Sequence, residues 1–119
     1  MDIVLASEEY DLRLALEMLF REEPGAYVVG TASHAQALLA LVQTTCPDLA
    51  LLDWDLPGLP PAQVLAQVQI AECQPKIIVL GKEPDARGPA LAAGADAFVV
   101  KGEPPGQLLA ALRQVISQP

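Results

Sequence analysis

Ser7, Glu8 and Glu9 directly follow the apolar run Ile3-Val4-Leu5-Ala6. Asp53 follows a second run, Leu49-Ala50-Leu51-Leu52, with Asp55 close behind it. Gly81-Lys82 follows Lys76-Ile77-Ile78-Val79-Leu80, and Lys101 follows Ala97-Phe98-Val99-Val100. Carboxylates drawn together from separate segments offer the hard oxygen donors that a divalent cation takes. A lysine beside them adds positive charge that neutralises a phosphoryl group. The same residues also admit a purely structural reading, in which Glu8, Asp53 and Lys101 form a charge network that holds strand ends.

Other chemistries find little support. No glycine-rich phosphate loop and no GxGxxG pattern is present. His34 is the single histidine and stands beside a helix start, where a solvated surface role is expected. Ser7 as a nucleophile lacks a histidine base in its neighbourhood. Cys46 and Cys73 fit neither a CxxC nor a Cys/His metal spacing. They are expected as reduced, small apolar fillers near helix ends.

The elements that must position these residues alternate along the chain. The four runs above, together with Tyr27-Val28-Val29-Gly30, read as five strands, and continuous apolar runs mark strands buried on both faces. Leu49-Ala50-Leu51-Leu52 is the most apolar and is expected at the centre. Between the strands, apolar residues recur at helical spacing. Leu12, Leu16, Leu19 and Phe20 form one stripe, closed by Pro24-Gly25. Ala37, Leu38, Leu41 and Val42 form a second in residues 35–44, with Ser33 as the expected N-cap. Pro61 suits the first turn of a third helix carrying Val64, Leu65 and Val68. Residues 86–93 form a short Ala-rich helix closed by Gly94. Pro104-Pro105 opens the last, with Leu108, Leu109, Leu112, Val115 and Ile116. Five strand–helix units imply an α/β fold, a parallel sheet with helices on both faces and right-handed crossovers. In such sheets ligands bind beyond the carboxyl ends of the strands, where the candidate residues fall. Trp54, beside Asp53, is expected to rim that site, partly exposed.

The 119 residues fit one domain over 1–119. At 52% hydrophobic and 4% aromatic, the core must be aliphatic. A net charge of −8 disfavours direct contact with a nucleic-acid backbone. No apolar run approaches the roughly 20 residues that span a bilayer, and the first residues lack a basic signal-peptide region. Both absences favour the cytoplasm and no membrane partner.

IVLASEEYDLR, PDLALLDWDLPG, PKIIVLGKEPD and LAAGADAFVVKGEPPGQLLAAL occur in this order. Together they resemble the receiver domain of bacterial two-component response regulators, over essentially the whole chain. The resemblance implies a flavodoxin-like three-layer sandwich with strand order 2-1-3-4-5. It implies that Asp53 accepts phosphate from a histidine kinase and that Lys101 pairs with the phosphate. It implies Mg2+ held by Asp53, by the backbone carbonyl of Asp55 and by the positions of Ser7 and Glu8. It gives Gly81 the place of a phosphate-contacting Ser/Thr, and Phe98 the place of an aromatic that rotates in the switch.

Two departures matter. Ser7 stands where a carboxylate is usual and Glu8 is longer than the common Asp, so weakened Mg2+ binding is expected. Gly81 has no hydroxyl, and only an inward turn of Lys82 would replace it. Two functions therefore stand side by side: a phosphorylation-dependent switch, and a phosphorylation-independent receiver acting as a protein-interaction module. A small flavin enzyme is disfavoured by the acidic first loop. The Lys101-Gly102-Glu103-Pro104-Pro105 loop resembles receivers fused to helix-turn-helix (LuxR/NarL-like) DNA-binding domains. That likeness implies a C-terminal output domain, and dimerisation through the last helices.

Overall fold

Five strands, β1 (Asp2–Ala6), β2 (Tyr27–Ala32), β3 (Leu49–Asp53), β4 (Lys76–Gly81) and β5 (Ala97–Val100), are joined through five helices. The helices are α1 (Tyr10–Arg21), α2 (Ala35–Thr45), α3 (Pro61–Gln69), α4 (Arg87–Ala92) and α5 (Pro105–Ile116). The computed structural model describes residues 1–117. All strand pairs are parallel and the order is β2-β1-β3-β4-β5. This is the α/β, flavodoxin-like sandwich and the strand order expected from the sequence.

Burial follows position in the sheet. β3 is buried along its whole length, and β1 and β4 are buried beyond their first residues. Each has a neighbour on both sides and helices on both faces, which is why their sequences are continuously apolar. β2, at an edge, alternates between exposed and half-buried residues until Ala32. On one face α1 and α5 cover the sheet, packing Leu16, Phe20, Leu108, Leu112 and Val115 onto Ile3, Leu5, Leu49, Leu51 and Ile78. The apolar stripe of α5 thus faces the sheet. On the other face Leu38 and Val42 of α2 and Val64, Leu65 and Val68 of α3 pack onto Val4, Ala50, Leu52 and Ile77. Each such side chain contributes about 1.5–3 kcal/mol relative to an exposed one.

Register sets up the edge where the candidate residues emerge. Ala6 lies opposite Leu52, Asp53 opposite Leu80, and Gly81 opposite Val100. Backbone pairing continues past the strand ends. Trp54 N–H donates to the Leu80 carbonyl at 2.7 Å, Lys101 N–H to Gly81 at 2.8 Å and Ser7 N–H to Ala32 at 3.0 Å.

The structure corrects three local expectations. Cys46 and Cys73 are joined in a disulfide, with Cα atoms 5.4 Å apart, and are not reduced fillers. Because α2 and α3 pack side by side, their C-terminal ends converge, although the cysteines lie 27 residues apart. The N-cap of α2 is His34, not Ser33: its Nδ1 accepts the Ala37 N–H at 3.3 Å. His34 is exposed as expected, but it does have a partner. The fourth helix begins one residue later and ends one residue earlier than expected, because Pro84–Ala86 forms a separate 3-10 turn before it.

The cap yields a discriminating test. His34→Ala is expected to lower stability by about 0.5 kcal/mol, the net worth of a weak hydrogen bond. Ser33→Ala is expected to leave it unchanged. Urea denaturation of both variants checks the assignment, and the reverse ranking would return the cap to Ser33.

Candidate functional site

Asp53 ends β3 with only 3% of its surface exposed. A carboxylate at such a position needs hydrogen bonds and an opposite charge. It has both. Oδ2 accepts from Lys101 Nζ at 2.5 Å and from the Ser7 hydroxyl at 3.0 Å. Oδ1 accepts the Asp55 N–H at 3.0 Å. Among the described residues no buried side-chain polar atom is left without a partner.

Lys101 is held from two sides. Its ammonium also reaches Glu9 Oε2 at 2.7 Å, and its side chain is 12% exposed against 52% for Glu9. Burial alone would lower the Lys101 pKa. Hydrogen bonds to Asp53 and Glu9, with the charges of both carboxylates, outweigh it and hold the ammonium above the usual lysine range.

The loop between β1 and α1 is braced by its own residues. The Ser7 hydroxyl accepts the Glu9 N–H at 3.1 Å, and the Ser7 carbonyl accepts from Arg13 Nη1 at 2.6 Å. Arg13 in turn lies over the Tyr10 ring, 5.6 Å from its centroid. Arg13 carried no signal in the sequence beyond lying in the first turns of α1. Glu9 was visible in the sequence as an acid following β1, without its partner Lys101.

The candidate residues are thus sorted. Ser7, Asp53, Lys101 and the Asp55 backbone come together. Glu8 is exposed and makes no hydrogen bond or ion pair among the described residues; Glu9 makes the contact with Lys101 instead. Trp54 is half-buried against the α2–α3 core, at the rim as expected. Lys82 is exposed. Gly81 is buried, and a Cβ built there would fall 2.6 and 2.7 Å from carbons of the Phe98 ring. Phe98 itself is 4% exposed, with the Arg87 guanidinium 5.4 Å from its centroid. The glycine therefore leaves the space that the aromatic fills.

Asp53 and the Asp55 carbonyl, with Ser7 and Glu8, are a depleted donor set for Mg2+, which commonly takes one or two carboxylates and completes its shell with water. Among the described residues no three acidic, histidine or cysteine side chains converge on a metal position. Ser7 supplies a neutral hydroxyl whose proton is directed at Asp53, and Asp53 Oδ2 is already shared between that hydroxyl and an ammonium.

Comparison with known proteins gives one consistent answer. The family model described as response regulator receiver domain matches residues 3–113. The nitrate/nitrite response regulator protein NarL of Escherichia coli K12 is 31% identical over 114 residues, covering 94% of this chain and 53% of that protein. The transcriptional regulatory protein YhcZ of Bacillus subtilis is 32% identical over 111 residues, covering 92% and 52%. The chain spans about half the length of these relatives. Among solved structures, the signal receiver domain of NarL from Mycobacterium tuberculosis superposes with TM-score 0.87 at 28% identity, covering 98% of this chain and 97% of that one.

Two predictions follow from the geometry. Because the Lys101 pKa is raised on folding, the ion pair stabilises fully below the unfolded lysine value of 10.5. That stabilisation fades as pH rises through the higher folded value. Urea unfolding on either side of pH 10.5 is expected to show this alkaline loss in the natural protein and a smaller one in Lys101→Met. Equal losses in both would remove the ion pair as its source. Gly81→Thr is expected to displace the Phe98 ring and cost about 1–3 kcal/mol by overpacking. Unchanged stability with an unshifted ring in a crystal structure of the variant would contradict that.

Proposed function

This chain belongs to the response regulator receiver family, and on that premise we propose that it takes a phosphoryl group from a histidine kinase onto Asp53. As a receiver domain it is a signalling module and no classical enzyme. One observation supports the finer reading: a buried carboxylate at the end of the central strand, paired with the Lys101 ammonium at 2.5 Å.

In the proposed step a carboxylate oxygen of Asp53 attacks phosphorus. The phosphorus–nitrogen bond of the phosphohistidine breaks, and its electron pair stays on the imidazole. Lys101 then neutralises the phosphoryl oxygens, with Glu9 keeping the ammonium over the site. Ser7 donates a hydrogen bond to the acceptor carboxylate. Receiver domains typically bind Mg2+ at their acidic pocket; here Asp53 and the Asp55 carbonyl would hold it, with Ser7 and Glu8 at the remaining positions, and the ion would offset charge on the phosphoryl oxygens. The phosphorylated side chain carries about −1.5 to −2 at neutral pH where the carboxylate carried −1, and that change is what a partner reads.

The partners proposed with this reading are the kinase and a DNA-binding output domain C-terminal to a receiver at residues 1–119. The relatives' greater length, and the name of the Bacillus subtilis relative as a transcriptional regulatory protein, support the second. The net charge of −8 assigns DNA contact to that output domain. Among the described residues no helix is long and apolar enough to cross a membrane, and we place the protein in the cytoplasm.

A phosphorylation-independent interaction module is the second reading. It is favoured by Gly81, which has no hydroxyl to offer phosphate and whose free space is filled by Phe98. Incubation with acetyl phosphate and Mg2+, followed by intact mass measurement, separates the two. The first reading predicts a gain of one phosphoryl group that Asp53→Asn abolishes and Lys101→Met reduces about tenfold in rate. No gain in the natural protein, or a gain that survives Asp53→Asn, leaves the second.

A further inference from the structure

The Cys46–Cys73 disulfide lies at the edge of the sheet opposite the acceptor. Cys46 precedes β3 and Cys73 precedes β4, whereas Asp53 closes β3. Nothing in the phosphoacceptor chemistry uses it. Cys46 caps the C-terminal end of α2, and Cys73 lies in the turn between α3 and β4.

Both cysteines lie at the surface. Cys46 is exposed and Cys73 is half-buried. Surface hollows of about 440 and 540 Å³ flank Cys73, and the larger is lined also by Cys46, Asp48 and Lys76. A small thiol therefore reaches a sulfur without unfolding the chain. Exposed disulfides are the labile class, whereas structural ones resist reduction by the cellular thiol pool. The backbone beside both sulfurs is left-handed, with φ 51° at Cys46 and φ 46° at Gln74. Residues with a Cβ adopt that conformation at a cost, so both turns are held by their surroundings. In a reducing compartment a persistent disulfide is unusual, and those that occur are mostly transient or redox-sensing.

We infer that Cys46 and Cys73 form a reversible thiol–disulfide site, exchanged in the folded protein with a low-molecular-weight thiol and its disulfide. In the opening direction, the small thiolate attacks Cys46 sulfur and the Cys46–Cys73 bond breaks. Cys73 leaves as a thiolate and takes up a proton. A second small thiolate attacks the small-thiol sulfur of the mixed disulfide and releases Cys46, which is protonated in turn. Two electrons pass to the protein, and the two small thiols leave joined as a disulfide. Closing reverses each step. Opening unties the end of α2 from the α3–β4 turn. Leu38, Val42, Val64, Leu65 and Val68 remain packed on the sheet, so the fold persists.

The test uses the whole chain, purified without reductant and equilibrated in glutathione buffers from fully oxidised to fully reduced. Free thiols are trapped with iodoacetamide and the intact protein is weighed. The expected result is no alkylation at the oxidised end and alkylation of both cysteines at the reduced end, with an unchanged circular dichroism spectrum and a lower Tm for the reduced form. Alkylation of both cysteines in every buffer would show that no bond forms in solution. A bond that opens only with denaturant present would show a fixed cross-link. Either result overturns the inference. Cys73→Ser, which keeps the more exposed cysteine, is expected to gain one glutathione in the oxidised buffer; a folded variant that gains none contradicts the accessibility on which the inference rests.

Discussion

A carboxylate almost wholly removed from water must be given its charge partner and hydrogen bonds by the protein itself. Asp53 is that group, and the upper edge of the sheet is organised around it. Lys101 arrives from 48 residues downstream and Ser7 from 46 upstream. The Asp55 N–H turns back from the loop that follows. A parallel sheet brings such distant residues together because every strand ends at the same edge. The register of β1, β3, β4 and β5 then decides which residue stands beside which.

The two positions that the resemblance marks as departures, Ser7 and Gly81, lie at the ends of the strands on either side of β3. Ser7, in place of an acid, supplies a donor where a second negative charge would stand. One ammonium, shared between Asp53 and Glu9, then offsets part of the negative charge at the edge. Gly81 lets the Phe98 ring lie where a side chain would otherwise be, so the aromatic is buried in a space that no hydroxyl contests. Both substitutions change what surrounds Asp53 and leave its own position at the end of β3 intact.

The parallel sheet was readable in the chain because continuous apolar runs and helical stripes are one-dimensional patterns with a direct geometric meaning, whereas the strand order came only from the family resemblance. Asp53, Lys101 and Ser7 were readable for the same reason: each follows a run, so each must leave the same edge. Trp54 at the rim followed from its place beside Asp53. What escaped depends on side-chain direction within a loop or on the meeting of separate helices. Glu8 and Glu9 are equivalent in composition, and only the turn into α1 decides that Glu9 meets the lysine. Arg13 braces that turn from within a helix, where a basic residue usually means only a solvated face. His34 was overlooked as a cap because serine is the commoner choice one position earlier. The disulfide was hidden because the packing angle of α2 on α3, which brings Cys46 to Cys73, leaves no mark on the spacing of either cysteine.

The site depends on the coupling between Asp53 and Lys101. A double-mutant cycle with Asp53→Asn, Lys101→Met and the combined variant, read by urea denaturation at neutral pH, measures it directly. A buried, hydrogen-bonded pair is expected to give a coupling energy of about 1.5 kcal/mol or more. Additive effects of the two substitutions would mean that the carboxylate and the ammonium do not sense each other, and would contradict the site as described.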